Sequence, residues 1–343
     1  MKIGVVGATG AVGEAFMDIL ERRKFPVDEL RAFASEKSEG LNVKSCGREW
    51  PVQSLREGCF DGLDLVFFSS GDNISREWAP KAVESGAFAV DNSAAFRMNP
   101  DYALVVPEVN SNRLPSRKNP TIIANPNCST IQLVVALSAL RPFGLADVRV
   151  ATYQAVSGAG KSGKEELLAQ THEHLHAQMR GGEFAQKLTN EPKVFPHEIA
   201  FNCIPQIGSF NENGFCTEEM KIANETRKIL EIPKLKVSAF TVRVPALNSH
   251  SEAVWVTFER KVSKEEIMSA FEKGAGLRLF SQSTDTTHYP TARIASGEFP
   301  VFVGRVHQDL NDPHTWLFWV VADNVLKGAA LNGLQIAEQI FKQ

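Results

Sequence analysis

Along the first third of the chain, short apolar runs alternate with stretches whose apolar residues recur at helical spacing. The runs are Lys2–Val6, Leu30–Ala34, Leu65–Ser69, Phe88–Asp91, Leu104–Val106 and Ile122–Asn125. Strand-length runs separated by helical patterns predict a parallel sheet with crossover helices. Beyond about residue 130 the grammar changes. Longer β-rich runs, Val148–Val156, Val237–Pro245, Glu252–Phe258 and Leu317–Ala322, follow one another with few crossover helices between them. This predicts an α+β second unit. The final stretch, Asn324–Lys342, is apolar at helical spacing and follows directly on a strand, which predicts a helix returning to pack on the first unit. The chain accordingly divides into residues 1–128, 129–323 and 324–343. Glu183–Pro196, rich in Pro, Lys and Asn, reads as an exposed loop, and the sequence holds no internal repeat.

A chain of 343 residues is long for one core and suits two domains with a cleft between them. With 43% apolar and 22% charged residues it has a globular composition, and no apolar run approaches the ~18 residues that span a bilayer. A net charge of −3 gives no broad basic footprint, so neither nucleic acid nor membrane is expected as a partner. The five cysteines form no C-x-x-C pair, and an odd number cannot all pair within one chain. A reducing, cytoplasmic compartment fits this usage. The opening Met1–Gly13 superficially imitates a signal peptide, but it carries one lysine and regularly spaced glycines, the mark of a strand and its turn.

That turn, Gly7-Ala-Thr9-Gly10-Ala11-Val12-Gly13, lies between a predicted strand and a predicted helix. Backbone N–H groups there and the positive helix end can hold a pyrophosphate, which predicts a Rossmann-like dinucleotide-binding unit. The second strand ends Ala34-Ser35-Glu36-Lys37-Ser38. Lys37 and Ser38 could hold the 2′-phosphate of NADP, while Glu36 leaves room for the ribose hydroxyls of NAD.

Ala124-Asn-Pro-Asn-Cys128-Ser-Thr-Ile is a strand end, a proline turn and the start of a helix at or just after Cys128. A thiol at a helix N-terminus feels the dipole and nearby N–H donors, which favour thiolate and make a nucleophile. Cys46, Cys59, Cys203 and Cys216 have no such setting and read as buried, inert cysteines.

Asn127-Cys128-Ser129-Thr130 resembles the nucleophile motif of the aspartate-semialdehyde dehydrogenase family. Ser93–Arg97, Val105–Asn110, Thr152–Gly160, Glu218–Lys221, Val242–Pro245, His250–Glu252, Phe302–Arg305 and Asp323–Gly328 resemble further family segments in order and spacing, over nearly the whole chain. Lys37 departs from the arginine common at its position, which bears on the choice of NADP. The resemblance implies an oxidoreductase using NADP, with no metal, in which Cys128 attacks the aldehyde while His250 takes its proton and Gln154 orients thiol and adduct. Arg243 would clamp the substrate carboxylate and Glu218 the amino group, and Arg97 and Lys221 would hold phosphate. Ser157, Gly158 and Asn324 would reach the nicotinamide half. The implied reaction interconverts L-aspartyl 4-phosphate with L-aspartate 4-semialdehyde and inorganic phosphate, on the route to lysine, methionine and threonine. The second unit would be catalytic and dimerising, in a homodimer.

The chemistry is consistent with these residue types. An aldehyde lacks a leaving group, so a thiolate first makes a tetrahedral adduct from which hydride can depart, and phosphate then cleaves the thioester. A guanidinium suits a carboxylate, and a pair of cations suits a phosphate. Rival readings fare worse. Ala155–Ser162 fits a relaxed P-loop with Lys161 as its cation, but a P-loop leaves the glycine turn and Cys128 unexplained. His172 and His176 share a helix face but lack a third metal ligand. A nucleotide-sensing regulator has no use for Cys128 and His250 together. N-acetyl-glutamyl-phosphate reductases carry a His-Pro-Gly-Cys nucleophile context, which Asn125-Pro-Asn-Cys128 does not match.

Overall fold

The apolar runs pair as two sheets. The computed structural model describes residues 1–179, 191–281 and 287–342, so residues 183–190 of the expected exposed loop lie outside the described residues. The first sheet contains β1 (Lys2–Val6), β2 (Glu29–Phe33), β3 (Asn42–Ser45), β4 (Arg48–Gln53), β5 (Leu65–Phe68), β6 (Phe88–Asp91), β7 (Ala103–Leu104) and β8 (Ile122–Ala124). Their order is β3-β4-β2-β1-β5-β6-β8-β7, and all neighbours are parallel except the β3–β4 hairpin. Helix α1 (Ala11–Arg22) joins β1 to β2, and α2 (Asp72–Glu84) joins β5 to β6. The chain leaves β1 toward one side and later places β5 on its other side. A crevice therefore opens at the carboxyl ends of these two strands, where open α/β sheets take their ligands.

The second sheet contains β9 (Leu145–Gln154), β10 (Lys236–Arg243), β11 (His250–Phe258), β12 (Leu277–Leu279), β13 (Val301–Gln308) and β14 (Thr315–Ala322), in the order β10-β9-β11-β14-β13-β12. It is mixed: β9–β10 and β12–β13 are parallel and the other pairs antiparallel. The chain also forms the short α3 (Pro107–Asn110), α4 (Cys128–Leu140), α5 (Gly160–Met179), α6 (Thr217–Leu230), α7 (Lys264–Lys273), the short α8 (Ala292–Ala295) and α9 (Leu331–Phe341). Every residue of α4 from Ile131 to Leu137 is fully buried, because its apolar core cluster joins residues of both sheets. A helix apolar on all sides is one enclosed on all sides.

The C-terminal segment returns to the first sheet as expected, with Leu334, Ala337 and Ile340 packed among Phe16, Leu20 and Phe88. It is not one helix, however. Leu326–Ala330 form a π-turn before α9 begins, and the buried Lys327 ammonium fixes that turn by donating to Glu108, Asn332 and Gln335. Leu104–Val106 is also shorter than expected, since the backbone turns into α3 at Pro107.

Candidate active site

The glycine turn is built as its sequence requires. Gly7 has φ 85°, and a Cβ there would fall 2.8 Å from Ser69 Oγ. A Cβ on Gly13 would lie 2.2 Å from the Gly7 carbonyl oxygen, so only glycine lets α1 start this close to β1. Gly10 caps α1 in extended conformation and offers no side chain to its first turn. The amides of Ala11, Val12 and Gly13 thus lack intrahelical acceptors and suit an anion. Thr9 completes the turn, while Lys37 and Ser38 lie in a short 3₁₀ turn, Glu36–Ser38, just past the end of β2. The donor set and the missing Cβ atoms fit a dinucleotide.

A cleft of about 570 Å³ runs from Val12 at this turn to Arg97, Cys128, Gln154, Ser157, Gly158, Glu218, Lys221, Arg243 and Asn324. One cavity therefore collects residues read separately from the sequence. Asn324 Oδ1 accepts from Ser157 Oγ at 2.9 Å and from the Ser249 N–H at 3.0 Å, which ties the β14 exit to the Ser157–Gly158 turn. A Cβ on Gly158 would lie 2.8 Å from Arg243 Nη1 and 3.3 Å from His250 Nε2, so glycine keeps this face open.

Cys128 is the first residue of α4. The Asn127 side chain caps the helix, accepting from the Ser129 and Thr130 N–H groups at 3.1 Å each, and leaves the thiol at the cleft. Gly328 of the π-turn backs it, since a Cβ there would stand 2.9 Å from Cys128 Cβ. Two influences oppose the thiolate that the helix end favours. Burial and the Glu218 carboxylate push the Cys128 thiol up to about 12, outweighing Arg243, Arg97 and the Ser129 N–H. The helix end offers one dipole, whereas the carboxylate is a full charge in a poorly hydrated site.

Glu218, on the first turn of α6, accepts from Asn127 Nδ2 at 2.8 Å and from Gln154 Nε2 at 3.4 Å, with Lys221 Nζ 3.6 Å away. Gln154 ends β9, and Arg243 ends the neighbouring β10 in register with it. Arg243 donates to the Ala155 carbonyl at 2.7 Å, and burial lowers its pKa. His250 begins β11 and is fully buried. Its Nδ1 accepts from the Ala155 N–H at 3.1 Å, so the neutral ring carries its proton on Nε2. Burial, then the Arg243 charge, holds its pKa well below the ordinary histidine value. A neutral ring protonated on Nε2 presents a donor at that atom and can accept a proton there only after giving this one up.

Arg97 differs from a surface phosphate clamp. Its Nε donates to the Asn125 carbonyl at 3.0 Å, Nη2 to the Asn92 carbonyl at 2.9 Å and Nη1 to Glu225 Oε1 at 3.1 Å. Glu225, almost fully buried, also accepts the Asn127 N–H at 2.7 Å. Sequence reasoning missed Glu225. Its one signal was position, because Glu218, Lys221 and Glu225 share a face of α6 at helical spacing.

The other expectations sort as follows. Cys216 is buried, Cys46 and Cys59 are half-buried, and Cys203 is exposed, against its reading as buried; all five thiols are free. The His172 and His176 ring centroids lie 5.1 Å apart with the planes tilted by 53°, and His174 bonds Glu198. Lys161 of the P-loop-like segment contacts the glycine turn. Among the described residues no helix is long and apolar enough to cross a membrane.

The chain is similar to known proteins over nearly its whole length. Family models described as "Semialdehyde dehydrogenase, NAD binding domain" and "Semialdehyde dehydrogenase, dimerisation domain" match residues 2–116 and 137–327. The chain is 45% identical to the aspartate-semialdehyde dehydrogenase of Aquifex aeolicus, over 100% of this chain and 98% of that protein. It is 42% identical to that of Bacillus subtilis, with the same coverage. Its fold is similar to the crystal structure of aspartate semialdehyde dehydrogenase II complexed with ASA from Vibrio cholerae, with a TM-score of 0.92 and 42% identity, covering 100% of this chain and 98% of that one. It is also similar to the Candida albicans aspartate semialdehyde dehydrogenase with NADP, with a TM-score of 0.74 and 26% identity, covering 99% and 98%.

Proposed function

The chain belongs to the aspartate-semialdehyde dehydrogenase family, and from that premise we propose that it is an NADP-dependent, phosphorylating enzyme acting through a thioester on Cys128. The substrates are L-aspartyl 4-phosphate in the biosynthetic direction, and L-aspartate 4-semialdehyde with inorganic phosphate in reverse. The product would feed lysine, methionine and threonine synthesis in the cytoplasm. The carrying observation is the convergence of Cys128, Glu218, Lys221 and Arg243 on one cleft that also reaches the glycine turn.

Residues 1–128 would hold the cofactor, with the pyrophosphate on Thr9–Gly13, the 2′-phosphate at Lys37 and Ser38, and the nicotinamide half near Ser157, Gly158 and Asn324. When bound, the cofactor supplies hydride in the biosynthetic direction. Residues 129–323 would bind substrate and dimerise, and residues 324–343 would close onto the first unit. The outer face of the second sheet supports dimerisation, since it leaves Tyr153 and Phe240 exposed beside a 440 Å³ hollow lined by Trp255, Leu317 and Trp319.

Arg243 would take the α-carboxylate and Glu218 the ammonium, placing the reactive carbon at Cys128. Sulfur then bonds to that carbon as the C–O bond to phosphate breaks, and the thiol proton leaves on hydrogen phosphate. Arg97 and Lys221 would steady that anion. His250 Nε2–H would protonate the oxygen of the tetrahedral adduct on Cys128, and Gln154 would orient it. Breaking the C–S bond releases the aldehyde and leaves the Cys128 thiolate, the hydroxyl proton returns to His250, and one proton from solvent restores the thiol.

The test is NADPH formation by the pure protein from L-aspartate 4-semialdehyde and NADP. Turnover should require phosphate and vanish in Cys128→Ala, while NADPH binding persists. Phosphate-independent turnover, or a fully active Cys128→Ala, would refute the reading.

A further inference from the structure

Of the relaxed P-loop at Ala155–Ser162 this chemistry uses Ser157 and Gly158 and leaves Lys161 without a role, yet that lysine is not an idle surface group. Lys161 is the second residue of α5, in the second unit of the chain, and its ammonium reaches across to the first. It donates to the Thr9 carbonyl within the glycine turn at 2.9 Å and to Glu14 Oε1 at 2.6 Å. Both side chains remain about half exposed, at 48% and 50%. Glu14 belongs to the first turn of α1.

That placement has an electrostatic consequence. The first-turn amides of α1 suit an anion, but Glu14 sets a full negative charge against the same helix end and would repel a pyrophosphate. Lys161 neutralises that charge in the free protein. Its stem is flexible and its ammonium has three donors, so it can keep the Thr9 carbonyl and exchange the Glu14 carboxylate for a phosphate oxygen. We propose that Lys161 is a cofactor-binding residue that contacts the pyrophosphate, with Glu14 as its resting partner. The assignment rests on the cofactor reading above and deepens it. It also makes the pyrophosphate a bridge between the two units, so that cofactor binding draws the Ser157–Gly158 turn, four residues before Lys161, toward the glycine turn.

Because the group recognised is common to NADP and NAD, the signature differs from that of a residue reading the 2′-phosphate. Calorimetric titration of wild type, Lys161→Met and Glu14→Gln with NADPH, NADH, ADP-ribose and adenosine 2′-phosphate tests it. Lys161→Met should weaken NADPH, NADH and ADP-ribose alike, by roughly tenfold, the loss of one charge-assisted contact. Adenosine 2′-phosphate, which has no pyrophosphate, should bind as before. Glu14→Gln should tighten the three pyrophosphate ligands about two- to fivefold, and the tightening should shrink when Lys161→Met is also present. A residue that merely clasps the two units would lower the melting temperature in Lys161→Met and leave the titrations unchanged, which would overturn the assignment. Wild-type protein that bound none of NADPH, NADH and ADP-ribose would overturn the cofactor reading and this assignment with it. Normal wild-type binding beside an unaltered Lys161→Met curve would overturn this assignment alone.

Discussion

Glu225 holds Arg97 with one carboxylate oxygen, at 3.1 Å, and with the other accepts the backbone N–H of Asn127, at 2.7 Å, directly before Cys128. The guanidinium we propose to bind phosphate and the cap of the helix that begins at Cys128 are thus set by one buried side chain. Removing the carboxylate strands a buried cation, for which the general cost is about 3–5 kcal/mol. Glu225→Ala should therefore lower the melting temperature sharply. Glu225→Gln keeps the shape and one acceptor, so it should fold but raise the KM for phosphate by roughly tenfold, since Arg97 loses its charged anchor. Wild-type stability and phosphate kinetics in Glu225→Gln would refute this role.

The glycine turn and Cys128 were legible in the sequence because their chemistry is local, packed into a few consecutive residues that also start helices. Arg97–Glu225 and Lys161–Thr9 were not, because their partners stand 128 and 152 residues apart and meet only through the packing of two units. The buried parallel strands were legible as continuous apolar runs. The β3–β4 hairpin was overlooked for the opposite reason: it is an edge, mostly polar and exposed, and it contains Pro51. In β13 the register shifts between Gly304 and His307, and Arg305 has φ 55°, which breaks the alternation that marks a strand.

Lys37 should discriminate between cofactors where Lys161 does not. It lies in the turn that follows β2, next to the strand that carries the glycine turn. Lys37→Ala should weaken NADP by roughly ten- to a hundredfold, the value of one charge-assisted contact, and leave NAD nearly unchanged. Titration of both cofactors checks it, and equal losses would move the 2′-phosphate site elsewhere.

Glu252 should make stability fall with rising pH. It is fully buried on β11, two residues beyond His250, and burial raises its pKa well above the ordinary carboxyl value. The neighbouring Gln132 amide, short of full hydrogen-bond geometry, offsets this only in part. A group whose folded pKa is raised contributes stability that is complete below its unfolded pKa and lost as pH rises through the folded value. The difference in unfolding free energy between wild type and Glu252→Gln should accordingly move against wild type as pH rises above the ordinary glutamate value of about 4.5. A pH-independent difference would mean that the carboxyl titrates normally.

His250 should be required as a neutral ring. His250→Asn should reduce kcat by roughly 10²–10⁴ with little change in KM. Since burial and Arg243 depress its pKa, the acid limb of the wild-type pH–rate profile should lie below the ordinary histidine range. Arg243→Leu removes one cause of the depression, so it should shift that limb upward while raising the KM for the carboxylate substrate. A limb unmoved by Arg243→Leu would assign it to another group.

On the proposed roles, Glu218 should link substrate binding to the reactivity of Cys128. In the free enzyme its carboxylate is, after burial, the largest influence holding the thiol up. The substrate ammonium, paired with Glu218, would cancel that charge at the moment the nucleophile is needed and let Arg243 and Arg97 act unopposed. Glu218→Gln should imitate this step. At pH 8 iodoacetamide should alkylate Cys128 faster in the variant, by up to about tenfold for each unit by which the thiol pKa falls. Turnover should nevertheless drop, because the variant has lost its partner for the ammonium. The rate must be read by peptide mapping at Cys128, since the exposed Cys203 also reacts. Slower or unchanged alkylation of Cys128 in Glu218→Gln would separate the carboxylate from thiol activation and leave it a binding role alone.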